Sequence, residues 1–163
     1  MSTFALTMYR HKAKIQGKSY EIDIWDTAGQ DCFSTLHPSY YFDANICILV
    51  FDISRKITYK NLTKWYEEMR NHCPHIPTIV VANKIDSFII PLNLLVDRSV
   101  TERSFKFATE NNLPIYYVSA ADGTNVVKLF QDALEKGLDN KLNPPDTFMK
   151  DVMDFLNQEE IES

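Results

Sequence analysis

Four consecutive residues, Asn83-Lys84-Ile85-Asp86, carry the most chemical information in this chain. They follow an apolar run, Thr78-Ile79-Val80-Val81-Ala82, whose pattern predicts a buried strand. An amide, an ammonium and a carboxylate directly after such a strand would stand at the C-terminal edge of a parallel sheet, where open α/β folds bind ligands. The carboxylate of Asp86 can accept two parallel hydrogen bonds, and guanine offers a matching pair from its ring N–H and exocyclic amine. Adenine presents no such pair, so a shielded carboxylate would be left unsatisfied against it. The stem of Lys84 can lie along a base plane, and Asn83 can tie neighbouring loops together. Taken alone, three polar residues within four after a strand are also the composition of an ordinary turn.

Such a site needs a sheet to present it. Residues 3–16 alternate unevenly and predict a strand, with Phe4, Leu6 and Met8 on one face and Thr7, Tyr9 and His11 near the other. Gly17 supplies positive φ for a tight turn. Tyr20, Ile22 and Ile24 then alternate with Glu21 and Asp23, predicting a return strand and an antiparallel hairpin at a sheet edge. Residues 26–43 carry turn chemistry and a short helix with Phe33, Leu36, Tyr40, Tyr41 and Phe42. Residues 46–51 form an unbroken apolar run, expected of a strand buried on both faces. In residues 58–71, Leu62, Trp65, Tyr66 and Met69 fall at helical spacing, a stripe expected to pack on the sheet. Ser99-Val100-Thr101-Glu102 reads as a capping box opening a helix that contains Phe105 and Ala108. Residues 115–118 are the last strand. Val126, Val127, Phe130, Ala133 and Leu134 mark a helix expected to end near Gly137. Beyond Pro144-Pro145, a short helix with Phe148, Val152, Phe155 and Leu156 precedes an acidic tail. Alternating strands and helices predict an α/β fold: a mostly parallel sheet with helices on both faces.

The 163 residues suit one domain, and an apolar share of 45% suffices for a core. A net charge of −5 argues against nucleic acid as a partner, since phosphate-backbone binders carry basic faces. Neither a signal-peptide pattern nor an apolar run of about 20 residues occurs in the sequence. Cys32, Cys47 and Cys73 are scattered and odd in number, as expected of reduced thiols in a cytoplasmic protein. His72-Cys73-Pro74-His75 makes a poor metal cage.

Two further stretches agree with the first. Trp25-Asp26-Thr27-Ala28-Gly29-Gln30 lies upstream, and Ser119-Ala120-Ala121 lies downstream. This ordered set resembles the Ras superfamily of small GTPases and, within it, the Rab group. The likeness tightens at Phe51-Asp52, Arg55-Lys56, Thr58-Tyr59, Asn61-Leu62, Trp65-Tyr66, and from Val118 through Phe130. It covers residues 2–86 and 97–156 and points to a Rab-like branch tied to cilia. The resemblance implies a P-loop small-GTPase fold that binds GTP and GDP with Mg²⁺. It implies guanine selection by Asn83, Lys84 and Asp86, with backbone N–H groups of Ser119, Ala120 and Ala121 facing the guanine carbonyl. It also implies Asp26 and Thr3 for Mg²⁺, Gly29 for the γ-phosphate, and Gln30 to orient the attacking water. Outside the resemblance, Asp-Thr-Ala-Gly reads equally as a helix N-terminus, and Ser-Ala-Ala-Asp-Gly as a tight turn.

The chain also departs from the family. It contains no G-x-x-x-x-G-K-[ST], the loop that cradles phosphates, and it opens at the position of the family's first switch. It is therefore expected to lack the family's first strand, phosphate loop and first helix, leaving two unpaired inner sheet edges. A splice form, a fragment or an incomplete gene model is the expectation. Residues 87–96, rich in Phe, Ile, Leu and Pro, look inserted; retained intron sequence is favoured over an apolar partner-binding loop. Asp31-Cys32 stands where many relatives have Glu-Arg, which leaves the choice of regulator open. No cysteine stands near the C-terminus for prenylation, so no lipid anchor is expected.

The organisation expected is a truncated G domain over residues 1–143, with the insertion at 87–96, and a C-terminal helix and acidic tail over 144–163. The function expected is a monomeric GTP/GDP switch in ciliary or intracellular transport. The resemblance implies intraflagellar transport and centriolar partners, and a cytoplasmic location at the ciliary base. Two rivals remain: a nucleotide-free interaction module, and a chain that does not fold by itself.

Overall fold

The computed structural model describes residues 6–27, 41, 43–87 and 105–144. Its centre is a three-stranded parallel sheet, ordered β3-β4-β5, of Cys47–Asp52, Thr78–Asn83 and Ile115–Val118. The middle strand β4 is buried from Thr78 through Ala82, as its unbroken apolar sequence requires. Successive side chains point to opposite faces, so β4 serves two cores. On one face Val80 and Ala82 join Leu49 and Phe51 of β3, with Leu62, Phe107 and Ala108 closing over them. On the other, Ile79 and Val81 join Val118, Leu129 and Ala133. Helices thus cover both faces, which gives the α/β layering predicted.

Two short helices follow β3: α1, Lys56–Lys60, and α2, Leu62–His72. The sequence predicts one helix here. Asn61 divides them but keeps right-handed helical angles (φ −74°, ψ −13°), so the apolar stripe runs through. Leu62 and Met69 are buried, and Trp65 and Tyr66 pack against the first core. At the far end of α2 the Arg70 guanidinium donates to the carbonyls of Pro74 and Ile76, at 3.0 and 2.8 Å, and to the Thr78 hydroxyl at 3.1 Å. One side chain thereby shapes the turn that feeds β4. Helix α3, Lys106–Glu110, precedes β5, and α4, Val126–Leu142, follows it.

The remaining strands, β1 (Leu6–Ile15) and β2 (Lys18–Thr27), pair antiparallel across Gln16-Gly17. Both turn residues have positive φ (50° and 80°), the geometry that matches the right-handed twist of a two-residue hairpin. Arg10 grips Asp23 with two hydrogen bonds of 2.7 and 2.9 Å, and Lys12 faces Glu21 at 3.5 Å.

Several expectations need correction. The hairpin is a sheet of its own rather than an edge of the parallel sheet: among the described residues no strand pairs with both β3 and the hairpin. For the same reason β3 is not buried on both faces. It is an edge strand, and Val50 is 56% exposed. Phe105 is the N-cap of α3, with non-helical backbone angles, instead of lying within the helix. Helix α4 continues five residues past Gly137, because that glycine is a packing position and not a helix stop. A Cβ placed there would meet Ile46 Cγ2 at 3.1 Å. The helix ends at Leu142, with Asn143 as its C-cap ahead of Pro144. Most of the 26–43 segment predicted to hold a short helix, the 87–96 insertion after Ser87, the capping box at 99–102 and the predicted C-terminal segment 144–163 after Pro144 lie outside the described residues. Among the described residues, no helix is long and apolar enough to cross a membrane.

Alanine at position 137 would set a helix-propensity gain of about 1 kcal/mol against this contact. A larger side chain has no such balance. Gly137→Leu is expected to lower stability by about 1–3 kcal/mol through overpacking. Adding Ile46→Ala should recover part of the loss, as read from urea unfolding midpoints.

Candidate functional site

The register of the parallel sheet sets Asp52, Asn83 and Val118 side by side at its C-terminal edge. Everything that follows these three residues is therefore delivered to one place. Asn83 has its side-chain oxygen turned back over the edge. It accepts the Lys84 amide at 2.8 Å and the Ala120 amide at 3.1 Å, joining the loop after β4 to the loop after β5. Lys84 lies in the left-handed region (φ +70°), a conformation that disfavours a side chain by roughly 1–2 kcal/mol. The sharp turn sends the chain into a single 3-10 turn, Ile85–Ser87, with Ile85 buried as its anchor.

The second loop is closed from within. Ser119 is fully buried, and its hydroxyl donates to Asp86 Oδ1 at 2.7 Å. That hydroxyl also accepts the Asp122 amide at 3.3 Å. Asp122 in turn accepts the Thr124 amide at 2.8 Å, and Thr124 holds the Asp122 carboxyl below the usual carboxylate range. Asn125, at φ +59°, donates from Nδ2 to the Tyr117 carbonyl at 2.8 Å and starts α4.

The arrangement leaves an exposed carboxylate, Asp86, oriented through one oxygen by a buried hydroxyl. Such an acceptor suits a partner that offers two adjacent N–H groups, as guanine does. The expectation that Ser119, Ala120 and Ala121 all turn backbone N–H groups to a ligand is narrowed. The Ser119 amide goes to the Thr124 carbonyl at 3.1 Å and the Ala120 amide to Asn83. Ala121 keeps a small, exposed side chain beside them.

Lys84 does not hang free. Its Nζ lies 2.7 Å from Asp52 Oδ2, while Asp52 Oδ1 accepts the Ser54 amide and hydroxyl at 2.9 and 2.6 Å. Sequence reading marked Phe51-Asp52 as a family word but gave Asp52 no role. Its register opposite Asn83, which would have disclosed one, is a property of the folded sheet.

Of the residues expected to serve phosphate and Mg²⁺, only Asp26 lies among the described residues. Asp26 is exposed near the end of β2, opposite Thr7 in the hairpin. Thr3, Gly29 and Gln30 lie outside the described residues. Among those described, no cluster of three or more His, Cys, Asp or Glu side chains could hold a metal.

Lys84 and Ser54 bind the carboxylate form of Asp52 and hold it at about 2, below its ordinary 3.8. A folded value below the unfolded one stabilises the fold above about pH 4, and that contribution disappears as pH falls toward about 2. Asp52→Asn is expected to lower stability at neutral pH and to flatten its decline across this acid window. Urea midpoints measured through the window check both effects.

The sequence model of the Ras family matches residues 1–139. Rab-like protein 2A of Homo sapiens is 51% identical over 162 residues, which cover 99% of this chain and 66% of that protein. Rab-like protein 2A of Pongo abelii is 50% identical, and Rab-like protein 2B of Homo sapiens 49%, with the same coverage. The chain thus spans just under two thirds of the length of these relatives. On this evidence the chain belongs to the Ras family of small GTPases and is similar to its Rab-like members.

Proposed function

We propose that this chain carries the guanine-recognition half of a Rab-like nucleotide switch. Ras-family GTPases bind GTP and GDP, generally with Mg²⁺. The observation that carries the proposal is the pair of hydrogen bonds, Asn83 to Ala120 and Ser119 to Asp86, that fastens the two loops together at one sheet edge. In this reading Asp86 accepts the ring N–H and amine of guanine, and Lys84 lays its stem along the base. Ala120 and Ala121 keep the opposite side open to the backbone. Thr3 and Asp26 serve Mg²⁺, Gly29 approaches the γ-phosphate, and Gln30 orients water for hydrolysis. The ion supplies charge neutralisation at the phosphates when bound. The switch acts in ciliary or intracellular transport. Its partners are intraflagellar transport and centriolar proteins, and it works as a monomer in the cytoplasm at the ciliary base.

A second reading is an interaction module that uses its surfaces without nucleotide. What favours it is the separation of the hairpin that bears Asp26 from the sheet that bears Asp86.

Thermal unfolding with Mg²⁺-GDP, compared with Mg²⁺-ADP, separates the two readings. Binding to the native state alone raises stability by roughly 2.7 kcal/mol at a hundredfold excess over Kd. A rise with GDP and none with ADP supports the switch; no rise with either supports the module. Asp86→Asn replaces an acceptor with a donor and matches the carbonyl that xanthine carries in place of the guanine amine. It should weaken GDP by at least about tenfold, one charged hydrogen bond's worth, and improve binding of xanthosine diphosphate, read by fluorescence titration.

A further inference from the structure

The Lys84–Asp52 ion pair is not explained by the fold alone. Asp52 ends β3, and its side chain is only 11% exposed, whereas that of Lys84 is 52% exposed. The pairing therefore stretches a long, solvated side chain across the ends of two strands to reach a largely buried acceptor. Three contacts fix that acceptor before Lys84 arrives. The Ser54 amide and hydroxyl hold Oδ1, and the Thr58 hydroxyl accepts the Asp52 amide at 3.0 Å. Lys84 is fixed at its other end by positive φ and by the bond from its amide to Asn83.

A second carboxylate stands two residues from Lys84. Among the described residues Asp86 makes no ion pair, and its Oδ1 accepts from a neutral hydroxyl, that of Ser119. An unrestrained lysine ammonium would be drawn to it. That pairing would neutralise the acceptor which guanine needs and would lay an ammonium against the ring N–H and amine donors. Two carboxylates compete for one cation, and the geometry gives it to the one outside the base-recognition edge.

We propose that Asp52 is a positioning residue for guanine recognition: it holds the Lys84 ammonium away from Asp86 and extends the lysine stem as a flat apolar support for the base. This inference rests on the reading of the site as a guanine-nucleotide site and adds to it a residue that touches no nucleotide.

The test is a double-mutant cycle in GDP affinity, using the full chain with Asp52→Asn, Lys84→Met and both together. Asparagine keeps an oxygen for Ser54 and removes the charge. Methionine keeps much of the stem and removes the ammonium. The expected result is a loss of about tenfold for D52N in the Lys84 background and no further loss in the K84M background. An equal D52N effect in both backgrounds would show that Asp52 acts through the fold, and the proposal would be wrong. GDP binding indifferent to D52N would also overturn it, leaving the guanine reading intact. If the unaltered chain binds no GDP, both readings fail together. A nucleotide-free readout accompanies the cycle: the rate of reductive methylation at Lys84, followed by mass spectrometry, should rise in D52N. An unchanged rate would mean that the ion pair does not restrain the amine.

Discussion

Burial of β4 on both faces is the constraint on which the structure depends. A strand so enclosed cannot leave a polar group unpaired along its length. Its one buried hydroxyl, Thr78, is met at the entry end by Arg70. From Ile79 to Ala82 the side chains are wholly apolar and divide between two cores. Polar chemistry can begin only where the strand leaves the sheet, and it begins there at once with Asn83. The position of the candidate site is thus a consequence of where hydrophobic burial stops.

The loops at that edge are held by side chains more than by further secondary structure. Asn83 bonds to the loop after β5, Ser119 reaches back to Asp86, and Lys84 reaches across to Asp52. Three strand ends are thereby cross-connected by three side chains, each arising within a residue or two of a strand terminus. A constellation of this kind is more rigid than its loop location suggests. Every member is anchored to a buried strand or to a fully buried residue such as Ser119.

Much of this was legible in the sequence, for identifiable reasons. The strand at 78–82 announces itself because double-sided burial removes all alternation. The motif after it became legible only beside Trp25–Gln30 and Ser119–Ala121, because an amide, a lysine and a carboxylate after a strand also make an ordinary turn. Leu62 and Met69 were legible through helical spacing. Gly137 was misread because a glycine that ends a helix and one that admits a neighbour, here Ile46, look alike in one dimension. Val50 was misread because hydrophobicity reports what a residue prefers, not which strand of a sheet lies at its edge. The link from Asp52 to Lys84 was invisible because it depends on the register between two strands separated by two helices.

The hairpin brings a consequence of another kind, in the order of assembly. Its turn residues are adjacent and its strand contacts are local, and such units close in about 1–10 μs. The pairing of β3 with β4 must wait for α1 and α2 to lay the intervening chain back across the sheet, a non-local event that loop entropy slows. Early and late structure therefore fall in different places. A two-stranded ribbon standing on its own hydrogen bonds is marginal in water, so the part that forms first is also the part that opens most readily. The slowly built strand β4, enclosed on both sides, keeps its amide protons longest.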